Sequence, residues 1–185
     1  MCGRYNFIWD KQIAEMIRLK DLVWGIDPDY ELPDGEVFPG QRLPVLVPGG
    51  DKAKVALEKW GIKTEGRNSL LINARSETAA ERPTFRPLWL NSRCVIPASG
   101  FYEFDDKNRK YLFTPQNAGM LYMAGMLAPS GFVIMTGDAD DTVAPVHHRM
   151  PILLTAGRVV SYLNGLYPTD SQFENNVMLN LSVCA

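Results

Sequence analysis

Apolar positions along this chain follow two rhythms, one helical and one alternating. Residues 9–19 place Trp9, Ile13, Met16 and Ile17 at helical spacing behind Asp10, which predicts an amphipathic helix with Asp10 as its N-cap. Pro28, Pro33, Pro39, Gly35 and Gly40 break the pattern, so residues 25–41 read as a long irregular loop. Short β-rich runs follow at 43–47 and 53–60, joined by the turn Pro48-Gly49-Gly50-Asp51. Leu70-Leu71-Ile72 predicts a buried strand that delivers Asn73-Ala74-Arg75. Ser76 then predicts the cap of a short helix to about Glu81, halted by Pro83.

Residues 93–104 predict two strand pieces bent where Pro97 and Gly100 interrupt them. Further strands are expected at 110–114, 120–127, 131–136 and 151–154, with a loop over 137–146. Thr155 caps a predicted helix containing Val159, Val160 and Leu163, and the tail from Tyr167 is weakly patterned. Many short strands with two or three helices imply an α+β fold: a curved, mainly antiparallel, barrel-like sheet core in a single domain, 1–185.

Composition narrows the function classes. A net charge of −2 does not suit a general nucleic-acid coat protein, so any nucleic-acid contact must be local. Arginines are unevenly spread: five lie between Arg67 and Arg93, with Arg75, Arg82 and Arg86, against only Glu77 and Glu81. Such a cluster is either a phosphate track or a solvated surface. No apolar run approaches a membrane span and no leader pattern opens the chain, so a cytoplasmic, nucleoid-associated protein without membrane contact is expected. Cys2, Cys94 and Cys184 form neither a C-x-x-C pair nor an even disulfide set. Their spacing to the histidines matches no common zinc pattern, so neither metal nor cofactor is expected.

Four residues carry candidate chemistry. Cys2 becomes the first residue if Met1 is trimmed, and then bears an amine and a thiol on adjacent carbons. Both groups titrate within a unit or two of neutrality, at pKa ~8 and ~8.5. An aldehyde condenses with such an amine, and the neighbouring sulfur then closes a five-membered thiazolidine. Glu103 sits in the aromatic strand segment Gly100-Phe101-Tyr102-Glu103-Phe104, where alternation aims it away from Tyr102 and Phe104. Desolvation there would raise its pKa and suit it to acid/base work, whereas a half-exposed strand would leave it an ordinary surface carboxylate. His147 and His148 are the only histidines, and adjacent residues point apart, so at most one faces a given pocket. Asn73, after a buried apolar triplet, can hold an amine or a sugar oxygen, or simply tie down a turn.

The motifs in order resemble the SRAP family (SOS response-associated peptidase), the abasic-site processing proteins. They are Met1-Cys2-Gly3-Arg4, Phe38-Pro39, Trp60-Gly61, Ile72-Asn73-Ala74-Arg75-Ser76-Glu77-Thr78, Arg86-Pro87-Leu88-Trp89, Arg93-Cys94-Val95-Ile96-Pro97-Ala98, Gly100-Phe101-Tyr102-Glu103 and His147-His148-Arg149-Met150-Pro151. The resemblance implies a DNA-damage enzyme of the SOS response whose Cys2 crosslinks to the ring-opened sugar of an abasic site in single-stranded DNA. It implies that Asn73 orients the sugar or amine, that Glu103 is the acid/base for imine formation, and that His147 donates the proton for ring opening and reversal. Arg4, Arg75, Arg82 and Arg149 would meet phosphates, and Phe38, Pro39 and Trp60 would wedge against bases. Self-catalysed removal of Met1, lyase activity and a monomeric state belong to the same expectation.

The chain departs from the family pattern at Phe104, where Trp is usual, and at Glu36-Val37-Phe38-Pro39, in place of Asn-x-Ala-Pro. Gly137-Asp138 interrupts the segment after Thr136, and no C-terminal Val-Asn segment is recognisable. Two other readings stay open. One is an N-terminal-nucleophile amidohydrolase or peptidase, since glutamine amidotransferases also begin Met-Cys-Gly, although Arg4 stands where they carry an apolar residue. The other is a single-stranded DNA binding module without catalysis.

Overall fold

The computed structural model describes residues 2–64, 66, 68–117, 119–166 and 177–184. Met1, Arg67 and tail residues 167–176 lie outside that set. Among the described residues there are thirteen strands: β1 (Arg4–Phe7), β2 (Gly35–Val37), β3 (Arg42–Val47), β4 (Lys54–Lys59), β5 (Asn73–Arg75), β6 (Arg93–Ala98), β7 (Gly100–Phe104), β8 (Lys110–Pro115), β9 (Leu121–Ala128), β10 (Gly131–Asp138), β11 (Arg149–Pro151), β12 (Leu153–Leu154) and β13 (Leu179–Val183). Four short helices accompany them: α1 (Ala14–Trp24), α2 (Ser76–Ala79), α3 (Arg86–Asn91) and α4 (Val159–Leu163).

The strands form two sheets, one ordered β13-β8-β7-β1-β2 and one ordered β11-β10-β9-β6-β3-β4, with β12 added at β9 and β5 at β10. Every pairing is antiparallel except β5 on β10. Neither sheet closes on itself, so the expected barrel-like core is instead a stack of two open sheets. Strand alternation explains the layering. Phe101 and Phe113 of the first sheet meet Ile96, Phe132 and Ile134 of the second in one buried cluster. The neighbours of those residues, Val95, Val133 and Met135, point the other way, onto Ala79, Phe85, Trp89 and Tyr162 from the helices. The second sheet is therefore covered on both faces, which is why β9 and β10 read as nearly continuous apolar runs.

Several local expectations shift. The first helix starts at Ala14 after Ile13, not at Asp10, whose carboxylate caps the turn at Gln12 N (2.8 Å). The buried strand expected at 70–72 is set later, at β5, because pairing with β10 begins at Asn73↔Ile134. Inside the expected 25–41 loop lies β2, and α3 and β13 are further elements that the pattern did not predict. At Gly131, φ is +140° and any Cβ would collide with the Lys59 carbonyl oxygen, so glycine is required where β10 crosses the end of β4. No helix among the described residues is long and apolar enough to cross a membrane.

Candidate active site

Four expected residues come together around the start of β1. Cys2 directly precedes β1, has 0% exposure and lies in the inter-sheet core. Its Sγ is 3.4 Å from the carbonyl oxygen of Arg4. Burial, followed by the charge of Glu103, pushes the thiol far up from its ordinary value, so it stays protonated at neutral pH. From the other sheet, Asn73 donates its side-chain amide to the Cys2 carbonyl oxygen at 2.7 Å. The Asn73 Oδ1 is buried and accepts no hydrogen bond from any described residue. That orphaned acceptor, held beside the head of the chain, suits a donor brought by another molecule.

Glu103 lies on β7, which pairs with β1 through Arg4↔Tyr102. By alternation it lies on the face opposite Tyr102 and Phe104, as the strand pattern anticipated; that face is the inward one, and Glu103 is 2% exposed. Desolvation raises its pKa to about 7. His147, in the loop before β11, sits with Nδ1 at 3.9 Å from Glu103 Oε2, beyond hydrogen-bond range. The same nitrogen is 3.0 Å from both the backbone N and the backbone O of Arg149. A neutral ring accepting the Arg149 N–H carries its proton on Nε2. Desolvation lowers the His147 pKa, consistent with that neutral form. A neutral imidazole and a carboxyl near pKa 7 can exchange a proton with a reactant near neutral pH.

Two expected DNA-facing residues are instead structural. Trp60 is 0% exposed, stacks on Phe132 at 6.4 Å and leans on Tyr5 at 5.2 Å. Its indole N–H donates to the Ile72 carbonyl oxygen at 3.1 Å, fixing the residue next to Asn73, so it has no face left for a base. Arg149 is 5% exposed. Its guanidinium makes a bidentate pair with Glu77 at 2.7 and 2.9 Å, and donates to Asp138 at 2.8 Å and to the Thr136 carbonyl oxygen at 2.8 Å. Such a group is already spent on internal anions, and what it offers the site is its backbone, which holds His147. Neither Glu77 nor Asp138 was read from the sequence as a partner of Arg149, because Asp138 meets it only through the β10–β11 pairing and Glu77 only once α2 packs beside β10.

The other residues expected to contact DNA are at least partly open. Arg75 and Arg82 are exposed, Phe38 is 41% exposed and Pro39 is half-buried. The guanidinium of Arg4 lies between Phe38 (5.1 Å) and Phe104 (5.3 Å) and donates to Glu36 Oε1 at 3.1 Å. Lys110, also unsuspected from sequence, donates to both oxygens of Glu36 at 3.4 and 3.3 Å. The larger clefts lie elsewhere; one of about 250 Å³ runs between α1 and the second sheet, past Leu19, Leu46 and Tyr122.

The sequence model of the family described as SOS response associated peptidase, SRAP, matches residues 1–182. The chain belongs to the SRAP family. Among curated relatives, it is 28% identical over 188 residues to the abasic site processing protein YoqW of Bacillus subtilis, covering 89% of this chain and 80% of that one. It is 28% identical to the abasic site processing protein YedK of Escherichia coli, over 84% of this chain and 76% of that one. Against the chicken abasic site processing protein HMCES it is 29% identical over 48% of this chain and 36% of the other. In fold, the SRAP chain superposes on a Bacteroides thetaiotaomicron protein with TM-score 0.74 at 21% identity, covering 100% of this chain and 92% of that one. A phage-related protein of Bordetella bronchiseptica gives TM-score 0.70 at 22% identity, over 99% and 94% of the two chains.

Proposed function

We propose that this SRAP protein processes abasic sites in single-stranded DNA by crosslinking Cys2, freed of Met1, to the aldehyde of the ring-opened sugar. The single observation that carries the reading is the convergence on Cys2. The Asn73 amide bonds its carbonyl, and the Glu103 charge reaches its thiol. His147 stands beside Glu103. The relatives named for abasic site processing support an abasic site as the substrate.

The sequence of steps uses each group once. Removal of Met1 turns the Cys2 amide nitrogen into an amine. An abasic sugar is mostly a closed hemiacetal, so His147, with its proton on Nε2, assists opening to the aldehyde. The amine adds to that carbon. Protonated Glu103 gives a proton to the departing hydroxyl, which leaves as water and produces an imine. The thiol then adds across the C=N bond, its proton passing to the nitrogen by way of the Glu103 carboxylate, and the thiazolidine ring closes. Asn73 Oδ1 holds the amine or the sugar hydroxyl during these transfers. A thiol kept protonated by burial favours this order, with the amine acting first. Exposed Arg75 and Arg82, with Phe38 and Pro39, provide backbone and stacking contacts that require no base readout.

The test mixes Met1-free protein with a single strand carrying one abasic site. A band shift that survives heating and disappears in Cys2→Ala supports the proposal. Amide hydrolysis without a shifted band would favour the amidohydrolase, and reversible binding alone would leave a non-catalytic binding module.

A further inference from the structure

The outer face of the first sheet carries a cluster that the chemistry above does not use. The registers Arg4↔Tyr102, Asn6↔Glu36 and Phe104↔Lys110 put Arg4, Glu36, Tyr102, Phe104 and Lys110 on the side opposite Glu103. Both cations converge on one carboxylate: Arg4 Nη1 at 3.1 Å from Oε1, and Lys110 Nζ at 3.4 and 3.3 Å from Oε1 and Oε2. Aromatic rings fix their positions. Phe38 and Phe104 hold the Arg4 guanidinium between them, and Lys110 Nζ stands 4.8 Å over Tyr102. All three charged side chains remain partly open, at 40%, 25% and 28% exposure for Arg4, Glu36 and Lys110. The carboxylate itself hangs from β2, a three-residue strand at the sheet edge, which can let it swing away.

We propose that Arg4 and Lys110 form a seat for a backbone phosphate of single-stranded DNA, and that Glu36 fills this seat in the free protein as an internal phosphate mimic. The two oxygens of Glu36 take the place of two non-bridging phosphate oxygens. Burial alone would raise the Glu36 carboxyl, but hydrogen bonds from Arg4 and Lys110 outweigh it and hold the group below the ordinary carboxylate range. Glu36 is therefore anionic at neutral pH. Binding of DNA exchanges one anion for another on the same two cations, and no bond is made or broken. The carboxylate works as a competitor that sets DNA affinity, and Lys110 is a binding residue. This inference rests on the single-stranded DNA reading above.

The experiment measures fluorescence anisotropy of a labelled, undamaged single strand, so crosslinking does not enter. It uses the full chain as wild type, Glu36→Gln, Lys110→Gln and the double variant across a sodium chloride series. Glu36→Gln is expected to bind about two- to fivefold tighter, the range of a partly exposed ion pair. Lys110→Gln in that background is expected to remove the gain and flatten the slope of log Kd against log salt by about 0.7. Lys110→Gln alone, which keeps the Arg4–Glu36 bond, is expected to weaken binding and flatten the slope, and it serves if Glu36→Gln does not fold. Binding that ignores both Glu36→Gln and Lys110→Gln would overturn the seat while leaving the abasic-site proposal standing. Absence of single-strand binding in every variant would overturn both.

Discussion

The Asn73 side chain donates to the carbonyl oxygen of Cys2 across 2.7 Å, joining the head of the chain to the first residue of a strand in the opposite sheet. That one bond crosses between the two sheets and spans 71 positions of sequence. Its removal strands a carbonyl at a fully buried residue. Asn73→Ala is therefore expected to lower unfolding free energy by about 1–3 kcal/mol in urea titrations. It is also expected to slow single-turnover crosslinking by about ten- to a hundredfold, because the first residue loses its fixed position.

Glu103 gives a pH signature with a definite sign. Its folded pKa of about 7 lies above the ordinary 4.5, so the folded state binds the proton more tightly. The stabilisation this supplies is complete below about pH 4.5 and is lost as pH rises through about 7. Glu103→Gln has no such proton to lose. Denaturation curves from pH 4 to 8 should show the variant gaining on wild type by on the order of 2 kcal/mol toward the alkaline end. Crosslinking by wild type should decline above about pH 7 as the acid form is lost. The variant should be slower by about a hundredfold or more at every pH.

Arg149 and Arg75 should separate cleanly. Arg149→Met is expected to cost about 1–3 kcal/mol, mostly through the buried Thr136 carbonyl, since Glu77 and Asp138 are partly or largely exposed. It should disturb His147 while leaving the salt dependence of single-strand binding unchanged. Arg75→Gln should do the reverse, leaving stability intact and flattening the salt slope by about 0.7.

Trp60 belongs with the core. Trp60→Ala is expected to destabilise by about 3–5 kcal/mol, measured by thermal or urea unfolding. Trp60→Phe keeps most of the stacking and loses only the bond to Ile72, so it should fold and retain crosslinking at a reduced rate.

What the sequence made legible follows from how local each signal is. Glu103 stood out as a carboxylate among aromatic residues, and the period of two set it on the face opposite Tyr102 and Phe104, but that this face is the buried one came only from the stacking of the sheets. The strands β3, β4, β6, β9 and β10 were visible as short β-rich or apolar runs bounded by turn residues. Elements defined by a distant partner were not. Edge strand β2 has three residues in a Pro- and Gly-rich stretch, and β13 exists by pairing with β8 across the sheet edge. The helix α3 has only six residues, too few to show a helical period, and carries Pro87 in its first turn, a position that tolerates proline. Whether the sheets close is likewise a property of which strands end as edges. Trp60 and Arg149 were misplaced because residue type tells nothing of burial until the layers are stacked. Glu36 stood out only as a departure, and its meaning came from the register that sets it against Arg4 and Lys110.

The central claim is chemical, and the intact mass of the crosslinked species tests it most directly. Met1-free protein and a single strand with one abasic site should give an adduct weighing the sum of both minus one water. Its first residue should be Cys2, with neither free amine nor free thiol. A heat-stable adduct with the same loss of one water formed by Cys2→Ala, or linkage at a lysine in place of Cys2, would contradict the account.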